Sequence, residues 1–330
     1  MHEPVWEFLI VNYLFFGGLS AGLYFVSGLA TWLTEDGRGA APRPAFPRVA
    51  RWGALLAPWP VSLGSVLLIF DLGKPLRFWK LFFHFRWQSP MSIGSWLLVL
   101  FTLLSMVYLW SWLEQEERDR LLARIPERIR GWIPVRIMGW LRLDASPWRR
   151  NLAIAGFPLA IGVGIYTGVL LGAVQARPFW NTNLVAQMFL FSALSTGTAT
   201  ILLARIFDRH EVDLKETRFL YSLDIVLIAL EFFIVLPYLI HGQLSVEAVK
   251  EALALVLGGP FTFAFWALFL VLGLLTPLVI ELWEFKPVLL GKGSFHLNER
   301  WASTAAGLVI FGGYVLRYVF VFAGQSSGFR

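Results

Sequence analysis

Two carboxylates stand inside an otherwise apolar stretch of this chain. Asp224 and Glu231 both fall within residues 219–240. Seven residues apart on a helix, they share nearly one face and are separated by ~10 Å along the axis. Charge at membrane depth is costly and reads by default as functional. Acids so spaced could pass a proton along, with water or tyrosine between them. They could equally be held in structural pairs, with Arg317 in the apolar run 301–322 or with Arg205 at the end of 183–204. Glu281 and Glu284 close the run 261–280, placed either as the entrance of such a path or as ordinary solvated interface.

A second set of polar residues gathers elsewhere. Asp71 opens the string Asp71-Leu72-Gly73-Lys74-Pro75-Leu76-Arg77-Phe78-Trp79, with His84 and Arg86 following and Ser89-Pro90-Met91-Ser92-Ile93-Gly94-Ser95-Trp96 beyond them. Tyr166 lies eight residues, ~12 Å, before the end of the run 151–174. Arg177-Pro178-Phe179-Trp180-Asn181 turns the chain into the next run, and Asn12 and Tyr13 enter the first one, Tyr13 ~8 Å in. The helices drawn below bring all of these to one membrane face. A quinone headgroup needs this combination: donors for two carbonyls, an apolar slot for the tail, and titratable groups to exchange protons. Each residue alone is more often an interfacial anchor.

The elements that must position these groups are transmembrane helices. The chain has 330 residues, 57% hydrophobic and 15% charged, whereas a soluble domain is about a quarter charged. Crossing ~30 Å of hydrocarbon takes about 20 apolar residues. Runs at 8–33, 52–70, 92–113, 151–174, 183–204 and 261–280 have the length and carry no Asp, Glu, Lys or Arg, while 219–240 and 301–322 have it with the charges named above. The expectation is an all-α integral membrane protein, one domain over 1–330 with eight transmembrane helices. Its termini share one face, here called face A. Loops on face A hold seven Lys and Arg, and those on the opposite face B hold twenty. The positive-inside rule places face B in the cytoplasm and both termini in the periplasm or its equivalent. The net charge of +6 is therefore an orientation signal and not a nucleic-acid footprint. The long loop 114–150 mixes Arg with Trp132, Trp140 and Trp148, and its stretch 135–143 reads as an interfacial helix with Arg136 and Arg142 reaching headgroups. Gly18 and Gly22, Gly164, Gly168 and Gly172, and Ser192, Thr196 and Thr200 recur every four residues, the spacing that lets helices approach closely in lipid. Pro58, Pro60, Pro158, Pro237 and Pro277 should kink their spans.

There is no cysteine, so no thiolate-held zinc or iron–sulfur cluster belongs to this chain. The five histidines are His2, His84, His210, His241 and His296, all in loops or at span ends, and none can build a two-helix haem site. Any electron carrier inside this chain must be an exchangeable organic molecule such as a membrane quinone, with no haem or metal.

At these residues the chain resembles the NrfD/PsrC family, the membrane subunits of complexes of the polysulfide reductase and formate-dependent nitrite reductase type. The resemblance runs over most of the chain. It is carried by Gly17-Gly18-Leu19-Ser20-Ala21-Gly22, the strings at 71–79 and 89–96, and Tyr166-Thr167-Gly168 followed by the Arg177–Asn181 turn. It implies eight helices in two four-helix bundles and menaquinone or ubiquinone bound near the periplasmic face. The implied partners are a periplasmic ferredoxin-like subunit carrying several iron–sulfur clusters and a catalytic subunit of the molybdopterin type. It implies Tyr166 as a quinone ligand and extends that role to Tyr13 and Asn12, although the polysulfide reductase subunit has histidine where Tyr13 aligns. With the polar residues of face A it gives a quinone site of Asn12, Tyr13, Arg77, Tyr166, Arg177, Trp180 and Asn181. Asp71 and His84 exchange protons there, and a proton path runs over Asp224, Glu231, Arg317 and Glu281. A bacterial or archaeal inner membrane is the implied location. The rival reading is an ion-coupled secondary transporter, which also has kinked helices and intramembrane acids. Against it, the halves show no hydropathy repeat and the second polar set lies at one face. A purely structural anchor would have no reason to carry Asp224 and Glu231.

Overall fold

The computed structural model describes residues 8–35, 43–71, 77, 79, 83, 86, 88–124, 144–174, 176–208, 213–290 and 297–327. Eight of its helices are long and apolar enough to cross a membrane. The first is α1 (Phe8–Trp32). The second breaks at Ala57 into α2 (Pro47–Leu56) and α3 (Pro58–Asp71), where Pro58 cannot donate its backbone bond and Pro60 follows. Then come α4 (Pro90–Trp112), a short amphipathic α5 (Gln115–Ala123), α6 (Arg149–Gly172) entered through a 3-10 turn at Ser146–Trp148, and α7 (Leu184–Phe207). The second half continues with α8 (Leu214–Leu244) and a short α9 (Glu247–Leu257). The seventh span starts as a π-helix over Ala264–Leu275 and continues as α10 (Thr276–Leu289), and α11 (Glu299–Ser326) ends the bundle. Thr34–Glu35 pairs with Arg43–Pro44 as a two-residue antiparallel ribbon.

All eight expected spans are present, and several are longer than their apolar runs. Polar caps extend them: Ser89 Oγ accepts from Ser92 N at the start of α4, Asp213 from Lys215 N at α8, and Asn298 from Arg300 N at α11. Sequence reading missed α5 and α9 because they are too short to span, and it missed the π-helix because periodicity does not distinguish π from α in an all-apolar run. Pro277 sits at the first turn of α10, where the π segment ends. The interfacial helix expected at 135–143 lies outside the described residues.

Burial separates central from peripheral helices. Of the span windows, 72% of α1, 67% of α7 and 61% of α11 are buried inside the protein, against 33% for the second span and 39% for α4 and α8. The helices of the first half pack around α1, those of the second half around α7 and α11, and α1 lies directly on α7. Small residues explain that contact. A Cβ on Gly22 would overlap the backbone of Ala193, and one on Gly197 would overlap the backbone of Gly22. In lipid, where apolar burial no longer drives association, such backbone-to-backbone packing does. The spacing read from Gly18, Gly22, Ser192 and Thr196 therefore marks the seam between the halves.

Candidate functional site

Face A is the end of the bundle where α1 begins and α6 ends. Tyr13 on α1 and Tyr166 on α6 are both buried there, and their phenol groups face each other. Among the described residues Tyr13 Oη has no hydrogen-bond partner within 3.5 Å, although the Tyr166 phenol stands close to it. A buried hydroxyl left without a partner costs about 1–3 kcal/mol, so its retention asks for a reason. Room for the Tyr166 ring comes from Gly94 on α4, because a Cβ at that position would overlap the ring. The tyrosine pair thus stands where α1, α4 and α6 meet, beside Gly64 of α3, whose Cβ would sit 3.6 Å from the Tyr13 ring.

The other expected ligands are distributed around this pair, not drawn into it. Asn12, next to Tyr13, turns toward α11: its Nδ2 donates to Phe8 O at 2.8 Å and its Oδ1 accepts from Tyr314 Oη at 3.4 Å. Trp180 is buried and spends its indole N–H on Phe320 O at 2.6 Å. Its ring lies where a Cβ on Gly324 would be. Arg177 donates to Gln325 O, and Tyr238 Oη donates to Phe179 O at 3.0 Å. The turn between α6 and α7 is therefore tied to the C-terminal end of α11 and to α8. In this arrangement Arg177 and Trp180 hold the turn, while Asn181 is exposed. Asp71 ends α3 half-buried, Arg77 is exposed, and His84 lies outside the described residues. Tyr238 and Tyr314 carry hydrogen bonds in this region that the sequence reading did not assign.

The intramembrane acids assemble in the second half. Asp224 is fully buried and its Oδ1 accepts from Ser195 Oγ of α7 at 2.7 Å. Glu281 of α10 is 0% exposed, and its carboxyl faces that of Asp224. This corrects the alternative of a solvated interface at Glu281, because the π-helix and Pro277 carry the seventh span past that position and keep it inside the bundle. Glu284, about one turn on, is only part-buried and accepts from Tyr221 Oη. Glu231 is buried beside Ser192, within electrostatic reach of Arg317. Arg317 Nη1 donates to Ser192 Oγ at 2.6 Å and Gly313 O at 2.7 Å, and Nη2 to Phe189 O at 3.2 Å. Its guanidinium carbon lies 5.1 Å from the Phe189 ring centroid. Glu231 and Arg317 thus meet through Ser192 without an ion pair within 4.0 Å. Arg205 does not pair with Asp224 or Glu231. It binds Glu216 at 3.2 Å and Asp208 at 3.6 Å. Ser192 and Ser195, three residues apart on α7, give Asp224 and Glu231 a common face. The sequence showed Ser192 as a small packing residue; its polar role emerges only once α7 and α8 are set side by side.

Known proteins resemble this chain in sequence over most of its length. Residues 1–327 match the family described as "Polysulphide reductase, NrfD". The chain is 32% identical over 324 residues to Protein NrfD of Escherichia coli, covering 97% of this chain and 95% of that one. It is 31% identical over 327 residues to the C chain of polysulfide reductase from Wolinella succinogenes, covering 98% and 95%. It is also 28% identical over 283 residues to the C subunit of selenate reductase from Mesobacillus selenatarsenatis, covering 79% and 62%.

Proposed function

Belonging to the NrfD family over nearly its whole length, this chain is a multi-pass membrane subunit of a respiratory oxidoreductase, and we propose that it exchanges electrons between the membrane quinone pool and an iron–sulfur partner subunit. The observation that carries the reading is the buried Tyr13–Tyr166 pair on face A, whose Tyr13 hydroxyl has no hydrogen-bond partner within 3.5 Å among the described residues. Two phenol donors between α1, α4 and α6 suit the carbonyls of a quinone headgroup, and neighbouring apolar helix surfaces suit its tail. A quinone, when bound, supplies two-electron, two-proton chemistry. This chain's residues hold and orient the headgroup through Tyr13 and Tyr166. Asp71 and His84 exchange protons with it, Asn12, Arg77 and Asn181 line its approach, and Arg177 and Trp180 fix the neighbouring turn. A ferredoxin-like partner with several clusters, docked at face A, would bring its terminal cluster near the pair, with a molybdopterin-type subunit beyond it.

Asp224, Glu281, Glu231 and Arg317 form the second part of the proposal: a proton path entering from face B, which the positive-inside rule makes cytoplasmic. Quinone binding is tested in the assembled, purified complex. Tyr166→Phe and Asp71→Asn should each lower quinone-dependent turnover while partner subunits still copurify. Full turnover in both variants would remove the site assignment. Copurification also separates the rivals, since a lone substrate binder driven by an ion gradient would be a transporter.

A further inference from the structure

The acids of the second half carry a more specific inference than a row of proton carriers. Asp224 on α8 and Glu281 on α10 are both fully buried, and they approach each other from different helices. Apart from each other, the one hydrogen-bond partner the described residues give their four carboxyl oxygens is Ser195, which donates to Asp224 Oδ1. Asp224 Oδ2, Glu281 Oε1 and Glu281 Oε2 receive none from any other described residue. Among the described residues no cation neutralises the pair. Every charged or titratable group facing it there from the packed helices is acidic or phenolic: Tyr221 and Glu231 on α8 and Glu284 on α10, with only the Ser195 hydroxyl contributed by α7. The guanidinium of Arg317 on α11 is committed to Ser192, Gly313 and Phe189 and addresses Glu231. Two carboxylates so placed cannot both be ionised in a low-dielectric interior, and two neutral acids would forgo the charge-assisted bond that one proton between them makes.

We propose that Asp224 and Glu281 form a proton-holding site, one carboxylic acid and one carboxylate sharing a single proton in the resting protein. The proton enters from face B through Glu284 and Tyr221, whose hydroxyl already bonds Glu284, and leaves toward Glu231, about two turns further along α8. The mass balance is one proton taken up at Glu284 for each one passed on, the pair alternating between one and two protons during transfer and returning to one. Ser195 is the positioning residue: its O–H holds Asp224 Oδ1, which leaves Oδ2 for the shared proton. The proposed proton path supplies only the direction of transfer. The resting proton count is a separate quantity, measured without turnover and without quinone reduction.

Infrared difference spectroscopy of the purified complex at neutral pH, wild type against the double variant Asp224→Asn with Glu281→Gln, reads that count. Loss of one carboxylic-acid C=O band, shifted in D2O, together with one carboxylate band is the expected result. Loss of two acid bands means two neutral acids, and loss of two carboxylate bands means a fully ionised pair holding a cation; either overturns the proposal. Should the double variant not assemble, a hydrophobic carbodiimide, which adds to buried protonated carboxyls, gives a second readout on the wild-type complex. Top-down mass spectrometry of the early reaction should find label on Asp224 or on Glu281 but not on both in one chain, and chains doubly labelled from the outset would overturn the single-proton site. Ser195→Ala should change the position of the acid band without removing it. A purely structural serine would leave the band where it is.

Discussion

At the scale of single residues, the two polar sites are built by opposite means. Tyr13 and Tyr166 depend on space, and the acids depend on partners. Gly94 makes that space, so Gly94→Ala should displace the Tyr166 ring and raise the KM for quinol several-fold while partner subunits still assemble. Steady-state kinetics of the complex checks this, and an unchanged KM would remove Tyr166 from contact with the headgroup. Tyr166→Phe, which keeps the ring and deletes only the hydroxyl, should cost about tenfold in quinone-dependent turnover, corresponding to ~1.4 kcal/mol. At the other site, Glu231→Gln should reduce proton uptake from the cytoplasmic side severalfold in vesicles, and unchanged uptake would leave Glu231 a structural residue. Sequence reading identified Asp224, Glu231, Tyr13 and Tyr166 because charge and hydroxyls stand out against an apolar background. It did not single out Ser195, and it read Ser192 only as a packing residue and Gly94 only as part of the string at 89–96, because their roles exist only across helix interfaces. Nor could it separate Tyr13 from Asn12. Adjacent residues on a helix point about 100° apart, and here one faces α6 while the other faces α11.

At the scale of elements, the turn between α6 and α7 illustrates what a motif leaves unsaid. Arg177-Pro178-Phe179-Trp180-Asn181 was legible as a tight, polar-aromatic turn at face A. Its bonds to Phe320 O and Gln325 O near the other terminus were not, because they span 140 and 148 residues. Trp180→Phe keeps the aromatic bulk and deletes the side-chain bond to Phe320 O, which should cost about 0.5–1.5 kcal/mol. The measurement is the thermal denaturation midpoint in detergent, expected to fall by several degrees. If the midpoint holds while quinone affinity falls, Trp180 acts on the headgroup and not on the turn. The seam between α1 and α7 is stricter. Gly22→Ala places a methyl group into the Ala193 backbone, so the helices must separate along their whole contact. The chain should then reach the membrane at much reduced abundance, and normal abundance would mean the seam is plastic. The small-residue spacing told which helices pack closely but not on which partner, since glycine presents the same absent side chain to every neighbour.

At the scale of the whole molecule, two features fix the arrangement, one inside and one across the membrane. On face B, Arg205 of α7 and Glu216 of α8 form a buried pair, both 2% exposed, while Glu216 Oε1 accepts from Arg48 N of α2 at 2.8 Å and Asp208 accepts from Trp52 Nε1 at 3.0 Å. The cluster ties the second span to the start of the second half, which is why the polar loops at that face are not merely solvated. The proposed orientation of this frame rests on loop charge alone, seven Lys and Arg on face A against twenty on face B, most of them in short loops close to span ends. The sequence has no cysteine, so a single introduced one is a clean reporter. Glu251, exposed on α9 at face A, and Arg120, exposed on α5 at face B, are suitable sites. In intact cells whose outer barrier admits small reagents, a membrane-impermeant maleimide should label Glu251→Cys readily and Arg120→Cys only after the membrane is opened. The reverse pattern would put face A in the cytoplasm. The tyrosine pair would then be presented to a cytoplasmic partner, and the acids near Glu284 would open to the outside, so proton uptake during quinone reduction would run from the opposite compartment.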